Sequence, residues 1–135
     1  GCMAECGSGS AMAAAAIVHL AGGSTEHQLA AASSALQNCF GMVCDPIANR
    51  VEAPCLGKNV MAASNALSCA NMALAGYQHL IPFDEVVVAM NKVAHQIPRE
   101  LRCTNLGGLS ITPTADKIAA KLAAKSCDCK SSCKG

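Results

Sequence analysis

The stretch Ala11-Met12-Ala13-Ala14-Ala15-Ala16-Ile17-Val18-His19-Leu20-Ala21 decides the fold class. Alanine gives up no side-chain entropy in a helix and heads the propensity scale, so a run this dense in alanine reads as helix, from about Glu5 to Ala21. Gly22-Gly23 stops it in the usual C-terminal manner. Side chains this small also let a second helix approach closely. Ser24 stands three residues before His27 with Glu26 in the first turn, an N-cap for a second helix running to about Asn38. Both helices are apolar on most faces and are expected to be buried.

Working outward, the pattern breaks between Cys39 and Gly57. Gly41, Pro46, Pro54 and Gly57 interrupt regular structure there, and Cys39, Cys44 and Cys55 fall in the same segment. An irregular, cysteine-bearing loop of this length between helices two and three is the kind that carries function. From Lys58 to Tyr77 helical periodicity returns, with Val60, Ala63, Leu67, Ala70 and Leu74 lining one face. Pro82 and Asp84 open a fourth helix, Phe83 to about Gln96, with Val87 and Val88 on its amphipathic start and Pro98 at its end. Arg102-Cys103-Thr104-Asn105-Leu106-Gly107-Gly108-Leu109-Ser110 is broken by glycine and reads as loop. A last helix, Ala115 to Lys125, follows Pro113. The expected architecture is all-α: a compact bundle of about five Ala-rich helices forming one domain over residues 1–125. The Cys-rich tail, 126–135, is expected to be mobile unless something ties it down.

Hydrophobic residues make up 52% of the 135 and charged residues 14%, with no Trp, one Tyr and two Phe. So few rings argue against a single-stranded nucleic-acid platform, which stacks bases on aromatic side chains. The formal net charge of +1 nominates no polyanionic partner, and no nucleic acid is expected. No apolar run reaches the roughly 18 residues of a membrane span, since His19 and Gly22-Gly23 interrupt the best stretch. No basic segment precedes an apolar one as in a signal peptide, so a soluble, cytoplasmic protein is expected. The chain opens at Gly1 without methionine and reaches Cys2 at once, as after a cut, so the complete protein is expected to be longer.

Ten cysteines would be a disulfide framework in a small secreted chain. Without signs of secretion they read as metal ligands, catalytic groups or small buried hydrophobes, three or four binding metal and the rest packing. Gly1-Cys2-Met3-Ala4-Glu5-Cys6-Gly7, Cys44-Asp45-Pro46 and Pro54-Cys55 contain no CxxC pair, so zinc-ribbon and ferredoxin spacings do not apply. Spacing alone leaves the function open.

These three strings, with Lys58-Asn59 after the third, resemble the cluster-ligand motifs of iron–sulfur-dependent L-serine dehydratases. Gly22-Gly23-Ser24 and Arg102-x-Thr104-x-x-Gly107-Gly108-Leu109 fit the same family, and the resemblance runs from Gly1 to about Lys125. It implies the C-terminal part of an α subunit in which Cys2, Cys44 and Cys55 ligate a [4Fe–4S] cluster. Three thiolates leave one iron without a protein ligand, free to act as a Lewis acid on the β-hydroxyl of L-serine. Loss of the Cα proton and of water gives aminoacrylate, which hydrolyses to pyruvate and ammonia. The resemblance further implies the upstream part of the α subunit and a β subunit or fused β domain as partners, and a role supplying pyruvate to gluconeogenesis.

Other roles stay open at this level. Arg102 and Lys58 are candidate donors to the substrate carboxylate, each equally readable as an ordinary salt-bridged or solvated group. Asn59 is a candidate hydrogen-bond donor to a cluster sulfur or to substrate. No base is identified: His19 reads as a core histidine, and His27, His79 and His95 as surface groups. Cys6, Cys39, Cys69 and Cys103 read as buried thiols. Some single-chain family members end in a cysteine that reaches back to the cluster. Cys127 and Cys129 are the candidates here for such a fourth ligand, against a disordered Cys-rich tail that also holds Cys133. Two rival functions remain: a related cluster-dependent lyase acting on cysteine or threonine, and a non-catalytic Cys-rich metal-binding or assembly module.

Overall fold

The computed structural model describes residues 1–50 and 52–131, with side chains as far as Ala124. Five helices follow one another: α1 (Cys2–Leu20), α2 (Thr25–Gln37), α3 (Cys55–Leu74), α4 (Phe83–Gln96) and α5 (Pro113–Ser131). Two 3₁₀ turns, Arg99–Leu101 and Gly108–Ile111, lie between α4 and α5. Among the described residues there is no strand, so the all-α expectation holds. Helices α1, α2 and α3 pack mutually, α4 lies on α2, and α5 rests on the second 3₁₀ turn.

Alanine dictates how close the first three helices come. Their shared core is Ala14, Val18, Ala30, Ala31, Ala35, Ala66, Cys69, Ala70 and Ala73. Side chains this short bring helix backbones together, and what they lose in transfer energy per residue they recover in contact density. A second cluster, with Leu36 and Val86 at its centre and Phe40, Phe83 and Met90 around it, holds α4 to α2. Where the backbones approach, polar side chains stitch them. Ser10 Oγ donates to the Ala62 carbonyl at 2.8 Å, and Asn65 Nδ2 donates to Ser10 Oγ at 2.8 Å and to the Ala35 carbonyl at 2.9 Å.

Several boundaries and faces differ from the sequence reading. Helix α1 begins at Cys2 rather than Glu5, which puts Cys2 and Cys6 one turn apart on a buried face. The cysteine loop ends at Pro54, and Cys55 and Gly57 belong to the first turn of α3. Helix α5 continues past Lys125 to Ser131. Of the expected apolar stripe of α3 only Ala70 is fully buried: Val60 is 59% and Leu67 53% exposed, and the inward face carries Ala62, Ala66, Cys69, Ala70 and Ala73. The crevice between α1 and α2 admits alanine and excludes larger branched side chains, so size overrides hydrophobicity in choosing the inward face. In α4 it is Val86, not Val87 or Val88, that inserts. His19 is exposed at the end of α1, its Nδ1 3.5 Å from Gln28 Nε2, and is not a core histidine. The Ser24 cap is present, its Oγ accepting from the His27 amide at 3.3 Å.

This inversion of α3 has a measurable consequence. Ala70→Leu should cost about 1–3 kcal/mol by overpacking, whereas Leu67→Gln should change stability by no more than about 0.5 kcal/mol. Urea denaturation of the two variants beside the parent reads both, and the reverse order would put Leu67 in the core and take Ala70 out of it.

Candidate functional site

Three segments far apart in sequence bring their cysteines together. Cys2 and Cys6 come from the first turns of α1, Cys44 from the loop before α3, and Cys55 from the first turn of α3. With Ala62 they form one buried cluster, flanked by Met42. All four thiols are free. The backbone of Cys44 also clamps a fourth segment: its amide donates to the Leu101 carbonyl at 3.0 Å, and its carbonyl accepts from the Cys103 amide at 2.9 Å. Cys103 is therefore not a buried packing thiol. It is exposed, sits in the left-handed region at φ 68°, and turns its thiol to donate to the Cys44 sulfur. Its place beside Arg102 in the Arg102–Leu109 string was the one sequence signal that set it apart from Cys39 and Cys69, which are buried.

Asp45 holds the frame. Its Oδ1 accepts from Lys58 Nζ at 2.5 Å and its Oδ2 from the Leu109 amide at 2.9 Å, while the same ammonium donates to the Val43 carbonyl at 2.7 Å. Ser110 Oγ adds a bond to the Pro46 carbonyl at 2.7 Å. Gly108 explains itself here. At φ 62° it occupies a conformation that L side chains rarely adopt, and a Cβ would lie 2.7 Å from Asp45 Oδ2. Only glycine lets the carboxylate reach the next amide.

The electrostatics follow from burial and these bonds. Burial alone would raise Asp45, but the hydrogen bond from Lys58 and that from the Leu109 amide outweigh it and hold the carboxyl below its ordinary value of 3.8. Burial would lower Lys58, and the bond to Asp45 with its charge outweighs that and holds the ammonium above 10.5. Asp45 thus contributes stability above its ordinary pKa that is lost as pH falls through the lowered folded value. Lys58 contributes below its ordinary pKa and loses it as pH rises through the raised one, so the pair is at full strength between 3.8 and 10.5. Cys2 is pushed up to about 12, first by burial and then by donating to Cys44. Cys44 is held below its ordinary value: burial opposes this, but the bonds received from the Cys103 and Cys2 thiols prevail.

The remaining candidates are placed as follows. Lys58 is committed to Asp45 and Val43. Arg102 donates through Nε to the Ile97 carbonyl at 2.5 Å and through Nη2 to the His95 carbonyl at 2.6 Å, closing the end of α4. Asn59 Nδ2 donates to the Cys55 carbonyl at 3.0 Å and lies 3.4 Å from Glu5 Oε1. Cys44 and Arg102 border a cavity of about 250 Å³ that Gly1, Met3, His95 and Leu101 help to line. Cys127 and Cys129 fall on the backbone of α5, with side chains outside the described residues, and Cys133 lies wholly outside them.

Among the described residues, no three His, Cys, Asp or Glu side chains are grouped so as to hold a metal ion. The fit to an iron–sulfur cluster rests on donor chemistry. Such clusters are held by cysteine thiolates on separate irons. Cys2, Cys44 and Cys55 are free, buried and in one cluster. By that test the residues suit the group.

A family model described as "Serine dehydratase alpha chain" matches residues 1–110. A protein of Bacillus subtilis (strain 168), "Probable L-serine dehydratase, alpha chain", is 51% identical over 122 residues, 90% of this chain and 41% of that protein. The "L-serine dehydratase, alpha chain" of Peptoniphilus asaccharolyticus is 52% identical over 118 residues, 87% of this chain and 40% of that protein. A Latilactobacillus sakei relative, "Probable L-serine dehydratase, alpha chain", is 50% identical over 122 residues, 90% of this chain and 57% of that protein. The chain belongs to the serine dehydratase alpha chain family, and it spans between two fifths and three fifths of the length of these three relatives.

Removing the Asp45 carboxylate strands a partly buried ammonium and an amide. Asp45→Ala should lower stability by about 3 kcal/mol, measured by urea denaturation at pH 7. A loss under about 0.5 kcal/mol, the scale of an ordinary surface pair, would reduce the pair to a surface contact.

Proposed function

We propose that this chain is part of the α subunit of an iron–sulfur-dependent L-serine ammonia-lyase, converting L-serine to pyruvate and ammonia. The observation that carries the reading is the gathering of Cys2, Cys44 and Cys55, from three separate segments, into one buried and disulfide-free cluster in a member of this family. These three thiols would hold a [4Fe–4S] cluster. When bound, the cluster supplies a Lewis acid at an iron without a protein thiolate, which makes the serine hydroxyl a better leaving group.

The chain's own residues do the positioning. Asp45 fixes the loop that presents Cys44, and Lys58 sets a positive charge beside Cys2 and Cys55. The cavity of about 250 Å³ bordered by Cys44 has room for a three-carbon amino acid. The donors of Arg102 that bond His95 and Ile97 shape its wall rather than meet substrate. The rest of the α subunit, and a β subunit or domain, complete the active site in this reading. Leu56, Val60 and Leu67, exposed along the outer side of α3, offer the apolar surface for the missing α-subunit segment. No described helix is long and apolar enough to cross a membrane, and we place the enzyme in the cytoplasm, feeding pyruvate to gluconeogenesis.

Anaerobic reconstitution followed by iron and sulfide analysis tests the centre of this reading. The chain should bind about four irons. Cys2→Ala, Cys44→Ala and Cys55→Ala should each lose them, and Cys69→Ala, whose thiol lies in the alanine core, should keep them. Iron surviving all three substitutions would remove these residues as ligands and with them the proposed chemistry.

A further inference from the structure

Two glycines stand beside thiols at helix starts, and only one of them has no room for a side chain. Gly1 is the N-cap of α1, and its carbonyl accepts from the Ala4 and Glu5 amides at 3.1 Å each. A Cβ built on it would lie 2.8 Å from Cys44 Cβ and 3.6 Å from Cys44 Sγ. Gly57, in the first turn of α3 two residues after Cys55, is exposed and has nothing within 4 Å of the same position. Capping alone would favour serine, asparagine or aspartate over glycine at position 1, where no side chain caps the helix. It is the approach of Cys44 that a side chain there would forbid.

Neither side of this contact can retreat freely. Cys44 is held through its amide to the Leu101 carbonyl and through its carbonyl to the Cys103 amide, and Asp45 after it bonds Lys58 and Leu109. Helix α1 is held by the bond from Ser10 to the Ala62 carbonyl. It is also packed tightly at Gly7, where a Cβ would sit 3.0 Å from Leu36 Cδ1 and 3.3 Å from Cys39 Cβ. Carbon atoms in contact settle about 3.5–4.0 Å apart, so a methyl on Gly1 would drive Cys2 and Cys44 apart by roughly 1 Å. Metal sites tolerate only about 0.2 Å in their ligand distances. Resting on the cluster reading above, we propose that Gly1 is a positioning residue whose bare Cα sets the spacing of Cys2 and Cys44 that a bound cluster requires. It acts only through the two thiols it spaces.

The test uses the α subunit of that reading, with residues ahead of Gly1 in place so that the chain cannot turn a new methyl aside. After anaerobic reconstitution the parent should bind about four irons. Gly1→Ala should fall below about one iron per chain. Gly1→Ser should do the same, although serine is the better cap. Gly57→Ala should keep the iron of the parent and the visible circular dichroism of its cluster. A second measurement needs no metal. In urea, Gly1→Ala should lower the midpoint of the parent but leave that of a Cys44→Gly chain unchanged, because the latter has no Cβ for the methyl to meet. That comparison reads the contact even if Gly1→Ala folds too poorly to reconstitute. Full iron in Gly1→Ala and Gly1→Ser, or an equal fall of midpoint in both backgrounds, would overturn the assignment without touching the cluster reading. Absence of iron from the parent would instead bring down the cluster reading itself, and this assignment with it.

Discussion

The carboxylate of Asp45 is the contact on which the site depends. It lies next to Cys44 in sequence, bonds Lys58 one turn into α3 from Cys55, and accepts the amide of Leu109 beyond Cys103. One side chain thus fixes the mutual position of three thiol-bearing segments that have no secondary structure in common. The geometry is demanding because both oxygens are used and the group is 4% exposed. A buried carboxylate persists only when paired and fully bonded, so each segment holds the others by satisfying the same two oxygens. Gly108 is the cost of this arrangement in sequence terms, since no side chain fits between its Cα and the carboxylate.

The alanine core serves the same end from the other side. Helices α1 and α3 approach closely enough for Ser10 to bond the Ala62 carbonyl across their interface, and that contact lies just below the thiols at their N-terminal ends. Larger core residues would splay the two N-termini and separate Cys2 from Cys55. The small-residue packing is therefore what sets the width of the thiol group, while Asp45 sets where Cys44 enters it.

The fold was legible because alanine density, glycine stops and the Ser24 cap are local signals, and local signals fix helices. What the sequence could not disclose were relations across segments. The Val60–Leu74 stripe obeys helical periodicity, yet periodicity says nothing about the size of the crevice opposite, and the smaller face went inward. His19 sits in an apolar run but at the end of a helix that emerges into solvent. Cys2, Cys44 and Cys55 stood out through their motifs, and their gathering is a tertiary fact that spacing does not contain. Asp45 and Cys103 were visible as letters of those motifs, but the bonds that give them roles join residues 45 and 109, and 44 and 103, across nearly half the chain.

The same carboxylate limits what the thiols can be without metal. Lys58 is the cation beside them, and its charge is already matched by Asp45, so little remains to offset thiolate charge. Cys2 is held at about 12 and Cys103 is raised, while the ionisation of Cys44, receiving a bond from each, is eased. Protonated thiols behave as small hydrophobes and pack without penalty beside Ala62. In the proposed reading, ligation would replace those protons with metal charge, which would supply the compensation that Lys58 does not. The thiols thus pack as part of an apolar core, and in the proposed reading the site would become ionic only with the counter-charge of a bound metal.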